Sequence, residues 1–404
     1  MNESRRSFLK RMVLGSFSIP LIEHQAVNPG LRGEEGRGKS RMNYRRLGRT
    51  GLSISEISLG GSPLPEWPIL LQSIERGVNY IDTSHTYQNG NSERRIGRLF
   101  EEVGRDKVFV GTKFHLRRNW SRESIIQIVE GSLRRLGSET IDVLMIHGAS
   151  EEKDLTDERV LSAYEQMKKQ GKCRFTGISC HANHHKVVKK AIECGRYDVI
   201  QLGYNVFDIT ESKNEIEKYD DYLGASGIRH LIALAKKNDV GVIAMKVLKA
   251  GGKRQNLKKY ETGGFSIFQM MLKWALQNPN LSSVVTEMLT FNQLEEDLAV
   301  TGQELTSVQK KALLKYVAEN SQAYCHMCGI CESQCPSGVK TTSILRYLAY
   351  HEGYKKRGRA VRAYSRLKKQ ETASSCTDCG RCESVCPYGV SIRENIHRAH
   401  LVLS

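Results

Sequence analysis

The sequence predicts an α/β fold: a (β/α)8 TIM barrel followed by a small, mainly helical, cysteine-rich domain. Three observations predict it. Short β-rich runs alternate with amphipathic helical stretches from Met42 to about Val300, the signature of parallel β/α units. That stretch is close to the roughly 250 residues of an eight-fold barrel. Eight of the eleven cysteines then crowd between Cys325 and Cys386, which points to metal ligation in a second, smaller unit.

The strand-like runs are Ile54-Ser58, Tyr80-Asp82, Val108-Thr112, Val143-Ile146, Phe175-Ser179, Val199-Leu202, Val242-Met245 and Ser283-Val285. Helical patterns such as Glu123-Leu136 and Leu161-Lys169 separate them. A doubly wound sheet is the alternative, but no G-x-G-x-x-G follows the first strand. The barrel is assigned to residues 42–317 and the cysteine-rich domain to 318–404. The remaining thiols, Cys173, Cys180 and Cys194, have no ligand spacing and read as core. His181, His184 and His185 read as surface residues at a helix start.

With 39% hydrophobic and 26% charged residues the chain is globular in composition. Its net charge of +17 suits an anionic partner and says nothing of fold. Residues 1–41 are read as a targeting segment and linker. Ser4-Arg5-Arg6-Ser7-Phe8-Leu9-Lys10 matches the twin-arginine export signal, and the apolar stretch Met12-Ile22 behind it is too short for a membrane span of about 20 residues. That route carries proteins already folded around their cofactors, so a periplasmic or membrane-associated location is expected.

Barrel chemistry sits at the C-terminal ends of strands, where Asp82, Tyr87, Lys113 and His147 fall. Together they form a plausible proton-transfer unit. The Lys113 ammonium is expected to lower the Tyr87 phenol from its ordinary value of about 10. Asp82 would hold Lys113 charged, and His147 would orient a substrate oxygen.

The run Tyr80-Ile81-Asp82-Thr83-Ser84-His85-Thr86-Tyr87-Gln88-Asn89-Gly90-Asn91-Ser92-Glu93, with Gly111-Thr112-Lys113 and Ile146-His147, resembles the aldo-keto reductases. Tyr44-Arg45-Arg46-Leu47-Gly48-Arg49-Thr50-Gly51 and Gly177-Ile178-Ser179 extend the resemblance over the whole barrel. It implies an oxidoreductase with a tetrad of Asp82, Tyr87, Lys113 and His147, in which Tyr87 is the general acid. It also implies hydride delivered from a nicotinamide, NADP(H), to a small carbonyl, with Ser179 and Gln201 at the carboxamide. The sequence departs from the family at Cys180, at Met245 where a tyrosine usually stacks on the ring, and at Thr286-Glu287-Met288-Leu289 and Asp297. Glu287 stands where a phosphate would approach, and like charges repel.

The quartet Cys325, Cys328, Cys331, Cys335, followed by Pro336, recurs as Cys376, Cys379, Cys382, Cys386, followed by Pro387. Gly329, Glu332, Ser333, Gly338 and Val339 recur as Gly380, Glu383, Ser384, Gly389 and Val390, so the unit is an internal repeat. C-x2-C-x2-C-x3-C-P is the spacing of ferredoxin-type domains with two 4Fe-4S clusters, in which the fourth cysteine crosses to the other cluster. Crossing assigns Cys325, Cys328, Cys331 and Cys386 to one cluster, and Cys376, Cys379, Cys382 and Cys335 to the other. Zinc would leave four ligands without a use. A basic helical insertion, 343–370, separates the quartets and carries Lys355, Lys356, Arg357, Arg359, Arg362, Arg366, Lys368 and Lys369. It reads as a solvated face or as a docking patch for an acidic redox partner or an anionic membrane surface. Nucleic acid is not expected, because aromatic residues are sparse there.

The sequence thus predicts an iron-sulfur oxidoreductase that interconverts a small carbonyl and its alcohol, with electrons passing through two 4Fe-4S clusters. NADP(H) or a flavin could link cavity and clusters. The alternative is an electron-transfer subunit whose barrel is a docking scaffold without chemistry of its own.

Overall fold

The computed structural model describes residues 42–117, 119–208, 227–248, 257–320 and 325–404. The twin-arginine segment and its linker lie outside the described residues. Strands β1 (Tyr44–Arg46) and β2 (Ser53–Ser55) form an antiparallel hairpin. Eight parallel strands then close into a barrel: β3 (Ile57–Gly60), β4 (Tyr80–Asp82), β5 (Phe109–Phe114), β6 (Ile141–Ala149), β7 (Cys173–Cys180), β8 (Val199–Gly203), β9 (Gly241–Met245) and β10 (Ser283–Thr286), with β10 pairing back onto β3. This is the fold class that the alternating sequence pattern predicts.

The first strand is divided differently from the sequence reading. Ile54 belongs to the hairpin, and the barrel strand begins at Ile57. Glu56 makes the break, because its carboxylate is held by Arg45 at 2.9 Å and its N–H donates to the Asn43 carbonyl at 2.9 Å. The hairpin carries Leu47, Leu52 and Ile54 into the same cluster as Tyr80, Val143 and Ile243 and so packs the N-terminal end of the barrel. Gly111 is required there, since a Cβ would lie 2.0 Å from the Tyr80 hydroxyl.

Helices α1 (Trp67–Glu75), α2 (Asn91–Val103), α3 (Arg122–Leu136), α4 (Glu158–Lys169), α5 (His184–Glu193), α6 (Ile228–Lys237), α7 (Ile267–Leu276), α8 (Phe291–Leu298) and α9 (Ser307–Asn320) complete the β/α region. Their bounds follow from local chemistry. The Ser121 hydroxyl accepts from the Ser124 N–H to start α3, and Gly137, at φ 56°, ends it. Ser266 and Gln269 form a reciprocal capping box on α7. Each helix buries an apolar stripe on the sheet, as α2 does with Ile96, Leu99 and Phe100. Each such side chain contributes roughly 1.5–3 kcal/mol.

The C-terminal region is helical: α10 (Ile330–Ser333), α11 (Thr341–Glu352), α12 (Arg357–Tyr364), α13 (Arg381–Ser384) and α14 (Ile392–Leu403). The sequence repeat is also a backbone repeat. Met327 and Asp378 share positive φ, as do Gly329 and Gly380, and Gly338 and Gly389. The repeated glutamates do one job twice. Glu332 accepts from the Thr342 N–H at 3.2 Å at the start of α11, and Glu383 accepts from the Arg393 N–H at 2.9 Å at the start of α14. A carboxylate there satisfies an orphan donor and opposes the positive end of the helix dipole. Among the described residues no helix is long and apolar enough to cross a membrane.

Candidate active site and cysteine quartets

The strand register brings the predicted barrel residues to one rim. Asp82 ends β4 beside Gly111, Lys113 of β5 lies beside Met145, His147 of β6 beside Ser179, and Ser179 beside Gln201. Asp82, Tyr87, Lys113, His147, Ser179, Gln201 and Met245 all line one cavity of about 450 Å³. Lys113 is only 2% exposed. Its Nζ donates to Asp82 Oδ1 at 2.5 Å and to the Thr83 carbonyl at 2.9 Å. The same Nζ lies 5.4 Å from the centroid of the Tyr87 ring, which meets the His147 ring edge-on at 5.6 Å. Tyr87 is aimed by a turn in which Gln88 and Asn89 take left-handed φ of 51° and 55°.

The electrostatics depart from the expectation in one respect. Burial, seconded by the Asp82 charge, pushes the Tyr87 phenol above its ordinary value instead of letting Lys113 lower it. Burial also lowers Lys113, with Asp82 opposing. The site therefore holds a protonated phenol next to an amine whose charge is compensated locally, the form required to donate a proton. His147 sits well below its ordinary value, chiefly through burial, with His115 and Lys113 adding. Its Nδ1 lies 3.1 Å from Ser84 Oγ, and its ring stacks on His115 at 4.1 Å.

Burial, first among the causes, also pushes His115 and His184 down to about 4. These imidazoles stay neutral in the folded chain to about pH 4, but take up protons below about 6.5 once unfolded. Stability is thus full above about pH 6.5 and falls as pH drops toward about 4. Unfolding midpoints measured across that window check this, with net proton uptake expected on unfolding.

Of the three histidines read as surface residues, His185 is half-buried and the other two are turned inward. His181 lines the cavity and His184 is buried. The first cysteine loop covers this segment. The Asn183 N–H donates to the Met327 carbonyl at 3.1 Å, and a Cβ on Gly329 would lie 1.8 Å from Asn183 Oδ1. His326 stacks on Tyr388 at 3.3 Å and approaches Asp208 to 3.5 Å. Cys173 and Cys180 are buried, and Cys180 Sγ donates to the Ala182 carbonyl at 3.0 Å.

The thiols fall into two groups. Cys335 joins Cys376, Cys379 and Cys382 around one recess. Cys328, Cys331 and Cys386 act electrostatically on one another, and Cys325 acts on Lys246 in the barrel cavity. Burial pushes Cys328 up to about 12 and Cys382 to about 11. Thiolates in such surroundings need a metal to stabilise them. Two sets of soft sulfur donors, each drawing its fourth member from the other repeat, fit cubane iron-sulfur clusters.

The basic insertion is neither a wholly solvated face nor only a docking patch. Lys355, Arg357, Arg359, Arg362, Arg366, Lys368 and Lys369 are exposed, yet Arg359 also lines the barrel cavity, with Tyr350, Tyr354 and Lys356. Lys356 Nζ donates to the Ser62 carbonyl at 2.9 Å and pairs with Glu287 at 3.0 Å. The repulsion expected of Glu287 is therefore compensated from the other region. Asp297, buried and pushed up to about 7, carries little charge below neutrality. Gln201 Oε1 is buried without a partner. Ser179 Oγ accepts from the Gly148 N–H at 3.0 Å, which leaves its own proton to donate. This wall fits a carboxamide. Sequence reasoning missed the roof. Its one signal is the run of tyrosines Tyr347, Tyr350 and Tyr354, the first two on α11 and the third just past its end.

Residues 67–316 match the aldo/keto reductase family. The chain belongs to that family. Residues 321–390 match the 4Fe-4S dicluster domain, so this aldo/keto reductase is an oxidoreductase carrying an iron-sulfur domain. It is 25% identical to the uncharacterized oxidoreductase YqkF of Bacillus subtilis, over 69% of this chain and 98% of that one. It is also 25% identical to the L-galactose dehydrogenase of Arabidopsis thaliana, over 68% and 93%. An aldo-keto reductase from Klebsiella pneumoniae, solved in complex with NADPH, shares the fold with a TM-score of 0.54 at 19% identity, over 68% of this chain and 94% of that one.

Proposed function

We propose that this aldo/keto reductase interconverts a small carbonyl compound and its alcohol at the barrel mouth, and that electrons reach or leave the cavity through two 4Fe-4S clusters. One observation carries the reading. The loop of the first cysteine quartet packs on the loop that follows Ser179, with the Asn183 N–H donating to the Met327 carbonyl, and the charge of Cys325 acts on Lys246, which lines the tetrad cavity.

Forming the alcohol takes two electrons and two protons, of which one proton goes to the oxygen and the other, drawn from solvent, goes to the carbon with the electron pair as the equivalent of a hydride. Tyr87 gives a proton to the oxygen, His147 as a neutral imidazole orients that oxygen, and the Lys113–Asp82 pair holds the phenol in place. Two clusters hold one electron each, so the fully reduced chain carries the pair required. The Ser179 and Gln201 side chains, with Met245, suit a nicotinamide ring and its carboxamide, and such a cofactor supplies hydride when bound. The second thiol group, where Cys379 is exposed, suits exchange with a redox partner protein.

Photoreduced anaerobic protein tests the reading. Adding a small aldehyde should restore the bleached cluster absorbance, and an absorbance unchanged by any carbonyl compound or alcohol would refute it.

We also propose export by the twin-arginine route, on the strength of Ser4 to Lys10. Replacing Arg5 and Arg6 by lysine should move the protein from the periplasmic fraction to the cytoplasmic one. An unchanged distribution would exclude that route.

A further inference from the structure

The carbonyl chemistry leaves two basic side chains of the cavity without a task, Arg359 and Lys246, the latter lowered to about 7 chiefly by burial. Lys113 is engaged by Asp82, and Lys356 by Glu287. Lys246 and Arg359 line the same cavity with no carboxylate partner among the described residues. Of the remaining carboxylates of the wall, Glu296 accepts from the Ser266 hydroxyl, and Asp297 is buried and pushed up to about 7.

Arg359 comes from α12, outside the barrel. Its guanidinium carbon stands 4.8 Å from the centroid of the Tyr350 ring. Stacking of this kind fixes the plane of the guanidinium and leaves its N–H edge to meet a ligand. The same charge acts on Tyr87, His147 and Lys246, and Arg359 lines the same cavity as all three. An anion held by it lies in the cavity onto which Tyr87 and His147 open. The planar fork of arginine matches a carboxylate bidentately, which an ammonium does not.

We infer that Arg359, with Lys246, holds the carboxylate of a 2-oxo acid or its 2-hydroxy acid, so that the substrate of this site is an anionic carbonyl compound. The inference rests on the carbonyl reading given above and deepens it. It also makes substrate recognition depend on the docked iron-sulfur region, since the arginine belongs to that region and the tetrad to the barrel.

Calorimetry on the anaerobic, cluster-loaded full chain tests the inference, with pyruvate and methyl pyruvate as probes. Pyruvate should bind tighter than its ester. Arg359→Gln should weaken pyruvate about ten- to hundredfold, leave the ester unchanged, and keep iron content and helical signal at wild-type levels. Arg359→Lys should recover only part of the loss. If both probes bind alike, or if Arg359→Gln weakens both equally, the anionic substrate is refuted, whereas turnover of neutral aldehydes would leave the carbonyl reading standing. If pyruvate binds in an Arg359-dependent way but no carbonyl compound reoxidises the reduced clusters, the anion site stands and the carbonyl reading fails.

Discussion

Tyr87→Phe is expected to slow carbonyl-driven reoxidation of the reduced protein by about 10²–10⁴-fold, the usual contribution of a positioned acid, while leaving iron content intact. The substitution keeps the ring that meets His147 edge-on and lies 5.4 Å from Lys113, and it removes only the hydroxyl. Because burial holds that phenol protonated, the loss should persist across neutral pH and should not be rescued by raising it. A barrel that merely docks partners predicts a different result, since Tyr87→Phe would then reduce and reoxidise at the wild-type rate. Stopped-flow absorbance of the clusters after addition of an aldehyde separates the two.

Lys113→Met should produce the largest loss of stability. Lys113 and Asp82 are both almost fully buried, and removing the cation leaves a carboxylate in an apolar surrounding with no counter-charge. Breaking a buried pair in this way costs about 3–5 kcal/mol. The double substitution Lys113→Met with Asp82→Leu should recover much of that, because the uncompensated charge is gone as well. Thermal unfolding under anaerobic conditions checks both. A single variant as stable as the wild type would mean that the pair is hydrated.

The barrel was legible because its evidence is local. The β-rich runs recur at barrel spacing, and Asp82, Lys113 and His147 could be placed at strand ends from the period of the strands alone. The hairpin was not legible, because Ile54 to Ser58 reads as one β-rich run and the Arg45–Glu56 contact divides it. What lay furthest from view was the meeting of the two regions. Nothing within 343–370 says that Tyr350, Tyr354, Lys356 and Arg359 turn toward a cavity in another part of the chain. By composition the insertion reads as a solvated basic face, and most of its basic residues are exposed. His181 and His184 follow a strand in a polar loop, and they are buried only because Met327 and Gly329 pack over Asn183. The acidity expected of Tyr87 failed for a related reason. Sequence shows the amine nearby but not the desolvation, which is the larger effect.

The central claim is that the eight clustered thiols hold electron-carrying iron next to a proton-donating cavity. Iron and acid-labile sulfide in anaerobically purified protein test it most directly. The account predicts about eight of each per chain, two cubanes' worth. Stoichiometric zinc, or iron without sulfide, would contradict it.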